Sequence, residues 1–159
     1  MNKALNNKGE AYPFICALIV AIMMIFSVIL TYASIITKVN VMKSNTEIVF
    51  DSFVANNSIR IYANIKQGNN AMNGIDADGF NSAIKDFCTF AESGNKYYHY
   101  DAEGKEQFSI TKPVITYIED KTLELKVSYT MYVPLYFAGT KVTTAHIPVV
   151  ISSALNDKK

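Results

Sequence analysis

The chain has 159 residues, 50% of them hydrophobic, with 15 basic against 14 acidic side chains and a net charge of +1. That length accommodates one ordinary domain. The charges are interspersed and nearly balanced, so there is no basic footprint for nucleic acid. Two cysteines, Cys16 and Cys88, are too few for a disulfide scaffold.

Residues 1–13, MNKALNNKGEAYP, form a short basic leader with Lys3 and Lys8 against Glu10. Residues 14–37 then read as a membrane-spanning helix. Charge is absent from Ala11 to Thr37, and Phe14 to Ile36 is apolar except for Ser27, Thr31, Tyr32 and Ser34. At about 1.5 Å per residue this stretch reaches roughly 34 Å, enough for a hydrocarbon core of about 30 Å. Pro13 suits a first helical turn, where its missing N–H costs nothing. A cleaved secretory signal, cut after Ala33 in Thr31-Tyr32-Ala33, competes with this reading. The apolar run exceeds the usual signal core and continues through Ile35 and Ile36, which favours the anchor. Short N-terminal tails usually stay in the cytoplasm, so a single pass is expected, with the C-terminal part outside.

Residues 38–67 extend the same helix beyond the membrane. Neither Gly nor Pro occurs there. Met42, Val49, Phe50, Phe53, Val54, Ile61, Tyr62 and Ile65 recur at three- and four-residue spacing. Asn56, Asn57 and Ser58 mark a weak point where a kink is expected, and Gly68 a terminator. Residues 68–159 read as a small α+β domain. After the loop 68–79 comes a short helix, Phe80–Glu92, capped by Asp78.

Strands follow at Lys96–Asp101, Gln107–Thr111, Val114–Glu119, Thr122–Val133 and Lys141–Ile151. The fourth alternates most clearly, with Leu123, Leu125, Val127, Tyr129, Met131 and Val133 on one face. Short connections favour an antiparallel meander of three to five strands. A sheet so small needs a helix over its apolar face, and the Met42–Ile65 stripe is the natural cover.

Catalysis finds little support. His99 lies among tyrosines, His146 precedes Ile147-Pro148, and Cys88 fits the apolar face of its helix. Asp76-Ala77-Asp78-Gly79 lacks the remaining ligands of a calcium loop, so helix capping accounts for it better. No cofactor or metal is expected. Tyrosines 97, 98, 100, 117, 129, 132 and 136 enrich the second half, and alternation sends some outward as contact residues. On the span, Ala17, Ala21, Ser27, Thr31 and Ser34 fall within about 140° of arc, a face that lets another helix approach closely.

The basic leader ending in Lys8-Gly9-Glu10, the span that follows at once, and its amphipathic extension into a small β domain resemble the pilin-like proteins. The resemblance is to the TadE-like minor pilins or pseudopilins of bacterial tight-adherence pilus systems. It implies processing between Gly9 and Glu10 by a membrane prepilin peptidase, although Phe14 stands where the family usually has its Glu. It also implies a structural, non-enzymatic role in a surface pilus or related secretion machine. The expected partners are membrane lipid, other pilin-like subunits through the N-terminal helix, and the pilus assembly machinery. The alternative is a single-pass, membrane-anchored module that binds a partner outside the cell without entering a filament.

Overall fold

Residues 11–70, 73, 75–119, 123–137 and 139–154 are described in the computed structural model of the chain. Among them lie two α-helices, α1 (Ala11–Lys66) and α2 (Ala77–Phe87), and six strands. The strands are β1 (Ala91–Ser93), β2 (Lys96–Tyr100), β3 (Glu106–Thr111), β4 (Val114–Glu119), β5 (Leu123–Phe137) and β6 (Thr140–Ala154). This is the α+β layout expected: a long N-terminal apolar helix, one short helix and an antiparallel sheet. Two compact units divide it, Met1–Lys38 and Val39–Lys159. Gly9 and Glu10 fall outside the described residues.

Helix α1 runs unbroken through Asn56–Ser58, where the composition suggested a kink. The polar side chains bond back to their own helix. Asn57 Nδ2 donates to the Phe53 carbonyl at 2.9 Å, and Ser58 Oγ to the Ala55 carbonyl at 2.9 Å. They support the turn instead of competing with it. In the second unit the helix buries Met42, Thr46, Val49, Phe50, Val54 and Ile61. Gly68, at φ 71°, ends it, with Gly68 N–H donating to the Ile65 carbonyl and Asn69 N–H to the Asn64 carbonyl. This pairing is the Schellman motif, whose left-handed position favours glycine.

Helix α2 starts and stops earlier than its apolar pattern suggested, and Asp76 rather than Asp78 is the cap. The Asp76 carboxylate accepts the Gly79 N–H at 2.9 Å. A Cβ on residue 79 would stand 2.5 Å from Asp76 Oδ2, so a side chain there would displace the Asp76 carboxylate from this position. Asp78 lies in the first turn, where the helix dipole favours a negative charge. At the other end Thr89 N–H donates to the Asp86 carbonyl and Phe90 N–H to the Lys85 carbonyl. The motif matches that at Gly68, but Thr89 holds the left-handed position at φ 54°. The reversal releases residues 91–93 to form β1 and turns Phe90 inward, where it stacks on Tyr97 and meets Phe108 edge-on.

The sheet pairs in chain order with one complication. β3 and β4 lie end to end along the same edge of β5. Ile110 faces Met131, and Val114 faces Ser128. The register steps by one residue across Lys112–Pro113, a β-bulge where Pro113 has no N–H to give. Thr130 N–H donates instead to Thr111 Oγ1 at 3.0 Å. That bond directs the Thr130 N–H away from β6. Thr130↔Pro148 is thus a non-hydrogen-bonded pair, and the Pro148 nitrogen faces the open edge of β6. Beside the bulge, Lys112 and Lys85 hold Glu92 of β1 at 2.6 and 3.4 Å.

Leu125, Val127, Tyr129, Met131 and Val133 are buried on the inner face of β5, as their alternation predicts. Tyr97, Ile110, Ile115, Val149 and Ile151 join them from the neighbouring strands. Phe80 of α2 packs edge-on against Phe50 and Phe53 of α1 at 5.8 and 5.3 Å.

A β-branched residue in the left-handed region costs roughly 1–2 kcal/mol. Thr89→Gly is therefore expected to stabilise the protein by about 1 kcal/mol after the added backbone entropy of glycine. Denaturant unfolding of the full chain in detergent reads this directly, and a loss of stability would contradict the strained cap.

Candidate functional site

Three surfaces stand out: the apolar helix of the first unit, and a groove and a cleft in the second. Over residues 12–36 of α1 the large apolar side chains are exposed, Phe14 at 72% and Val28 at 69%. The most apolar window of this helix has a mean hydropathy of 2.9 and is 0% buried. A solvated surface of this kind is untenable in water and natural in lipid. The helix is long and apolar enough to cross a membrane and is compatible with a single-pass anchor.

Ala17, Ala21, Ser27 and Ser34 are exposed on this helix, and Thr31 is half-buried. Thr31 Oγ1 donates to the Ser27 carbonyl at 2.9 Å, and Thr37 Oγ1 to the Ala33 carbonyl at 3.0 Å. These hydroxyls leave no unsatisfied donor for lipid.

In the second unit the Thr46 and Tyr129 hydroxyls join helix to sheet at 3.1 Å. Thr46 Oγ1 already donates its one proton to the Met42 carbonyl at 2.8 Å, so Tyr129 donates to Thr46. Burial pushes the Tyr129 phenol up to about 12, against the lowering effect of the Thr46 hydrogen bond. Nearby, burial pushes the Cys88 thiol up to about 11 despite a hydrogen bond with Asn45. Such a thiol is a packed hydrophobe at neutral pH, not a nucleophile.

The residues weighed for catalysis or metal binding are not brought together. His99 stacks on Phe108 at 5.0 Å on the inner side, while His146 meets Tyr132 edge-on at 4.8 Å on the outer side. Asp76 is occupied as a helix cap. No group of three or more metal-binding side chains occurs among the described residues.

The tyrosines divide by face. Tyr97, Tyr117 and Tyr129 turn toward the core, whereas Tyr98, Tyr100, Tyr132 and Tyr136 share the outer face. Across four strands the register aligns Tyr98, Ser109, Tyr132 and His146 in one row. Ser109, 2% exposed, is the floor of a cleft of 310 Å³ between the two tyrosines. Lys96 Nζ lies 3.7 Å over the Tyr132 ring, and Lys105 Nζ 3.7 Å over the Tyr136 ring. Ser109 Oγ donates to Glu106 Oε1 at 3.2 Å, and Lys141 Nζ stands 3.7 Å from Glu106 Oε2.

Reasoning from the sequence found the tyrosines but not this cleft. Alternation alone separates Tyr132 from Tyr129, but only the register sets Ser109 between two aromatic rings. A further groove of 310 Å³ runs between α1, at Ile48, Ser52 and Phe53, and α2, at Ala83 and Phe87.

Removing the two hydroxyls of the Thr46–Tyr129 contact should have unequal costs. Tyr129→Phe loses one hydrogen bond, about 1 kcal/mol, while Thr46→Val leaves a buried phenol without its acceptor and costs about 1–3 kcal/mol. Because the folded-state value of Tyr129 is raised, its contribution is fully present below pH 10 and is lost between about pH 10 and 12. Unfolding free energies of both variants across that range check the order and the slope. Tyr129→Phe should flatten the alkaline decline. No protein-family model matches the chain, and neither a curated protein nor a solved structure is significantly similar to it.

Proposed function

We propose that the chain is a pilin-like structural subunit, a minor pilin or pseudopilin, held in the cell membrane by the first part of α1. The observation that carries this reading is the change in character along one continuous helix. Its first part is uncharged and apolar on all sides, and its second part carries a single stripe that forms the core of a small antiparallel α+β domain. A plain anchor needs no helical continuation into the domain core. A subunit that must pass load or register from membrane to outer domain does. Insertion with the N-terminus in the cytoplasm would place the sheet domain outside.

Within this reading, Ala17, Ala21, Ser27, Thr31 and Ser34 form the face on which neighbouring subunits' helices pack. Ala17→Leu, Ala21→Leu, Thr31→Leu and Ser34→Leu are expected to block entry into filaments while membrane insertion persists. Fractionation and shearing of native cells separate the two. A mature N-terminus at Glu10 supports prepilin-type processing, and one at Ser34 overturns the anchored reading.

The tyrosine-rich outer face favours a second reading, a membrane-anchored module that binds a partner through its sheet. Unaltered surface recruitment of the leucine variants would select it.

A further inference from the structure

The cleft on the outer sheet face has a composition that neither the anchor nor the core requires. Its floor is Ser109 and its walls are Tyr98 and Tyr132. Thr144 and His146 of β6 close one side, and the charges at its rim are Lys96, Lys141 and Glu106. Two ammonium groups against one carboxylate leave an excess of one positive charge. Lys141 pairs with Glu106, whereas Lys96 has no carboxylate within ion-pair distance among the described residues. Its ammonium is instead held over the Tyr132 ring, which fixes its position without neutralising it.

These features narrow the ligand. The volume, 310 Å³, lies at the small end of ligand clefts, about 300–1,000 Å³, and suits one ring-sized group. Lys96 calls for an anion. Glu106 Oε2 is too far from Lys141 Nζ for a hydrogen bond, so it keeps lone pairs for a hydroxyl donor. The Ser109, Thr144 and tyrosine hydroxyls add donors and acceptors in a ring, and Tyr98 offers an aromatic wall for a C–H face. A phosphodiester chain is disfavoured by the carboxylate at the rim and by the single uncompensated cation, since nucleic acids are held by rows of cations.

We propose that this cleft binds a carboxylate-bearing sugar, a uronate unit of an acidic glycan. Its carboxylate lies on Lys96, its hydroxyls donate to Glu106 and its ring rests against Tyr98. The inference does not depend on whether the chain enters a filament.

The test is binding of fluorescein-labelled trigalacturonate to the full chain in nanodiscs of neutral lipid, followed by anisotropy. Saturable binding is expected, weakened about tenfold by Lys96→Met, which retains the aliphatic stem but not the charge. Thr144→Tyr, which fills the cleft from the edge strand, should weaken binding as strongly. Full methyl esterification of the probe should do the same, and Lys66→Met, remote from the cleft, should leave binding unchanged. Circular dichroism of each variant establishes that it is folded. Absence of saturable binding overturns the proposal, as does an equal loss in Lys66→Met, which marks diffuse charge attraction. Tighter binding of a labelled oligothymidylate would assign the face to nucleic acid instead.

Discussion

A sheet with one apolar face is stable in water only when something covers that face, and here part of α1 is the cover. Neither side holds alone. The strands present Leu125, Val127, Tyr129, Met131 and Val133, and the helix presents Met42, Val49, Phe50, Val54 and Ile61. Burial of such side chains contributes about 25 cal/mol per Å² and is not directional. Direction comes from the Thr46–Tyr129 hydrogen bond, because only one rotation and one height of the helix bring these hydroxyls to 3.1 Å inside a dry core.

That dependence ties the two helix segments together. Residues 39–66 are selected for one stripe and residues 12–36 for apolarity all round, yet both belong to one hydrogen-bonded ladder. The sheet domain cannot dispense with the helix whose earlier part is apolar enough to cross a membrane. Cutting the chain beyond Met42 would therefore remove core residues along with the apolar segment.

Much of this was readable from the order of residues. The uncharged run is legible by its length, and the later stripe and the alternation of Leu125 to Val133 by their periods. What stayed hidden depended on contacts between segments. Asp78 reads as the cap of α2 on paper, and the structure gives that place to Asp76, whose carboxylate accepts the Gly79 N–H. The turn at Thr89 opposes the preference of a β-branched residue, so apolar periodicity carried the expected helix to Glu92 when it stops at Phe87. The kink looked for at Asn56–Ser58 is absent because side-chain bonding to the preceding turn is invisible in composition. The cleft was legible only as an excess of tyrosine. Its floor at Ser109 exists because of cross-strand register, which depends on the one-residue step at Lys112–Pro113.

Strand β6 is 15 residues long and, among the described residues, pairs along one side only, with β5. An edge of that length would ordinarily invite a strand from another molecule. Pro148 interrupts it near the middle. Its nitrogen faces outward, so the donors on that side fall into two short runs, at Thr144 and His146 and at Val150 and Ser152. A passing strand would meet a gap and the bulk of a pyrrolidine ring where its ladder should continue. Copies of this chain at high local density can thus lie side by side along β6 without fusing their sheets. Association along this edge is thus left to side chains, which can carry specificity, more than to backbone pairing.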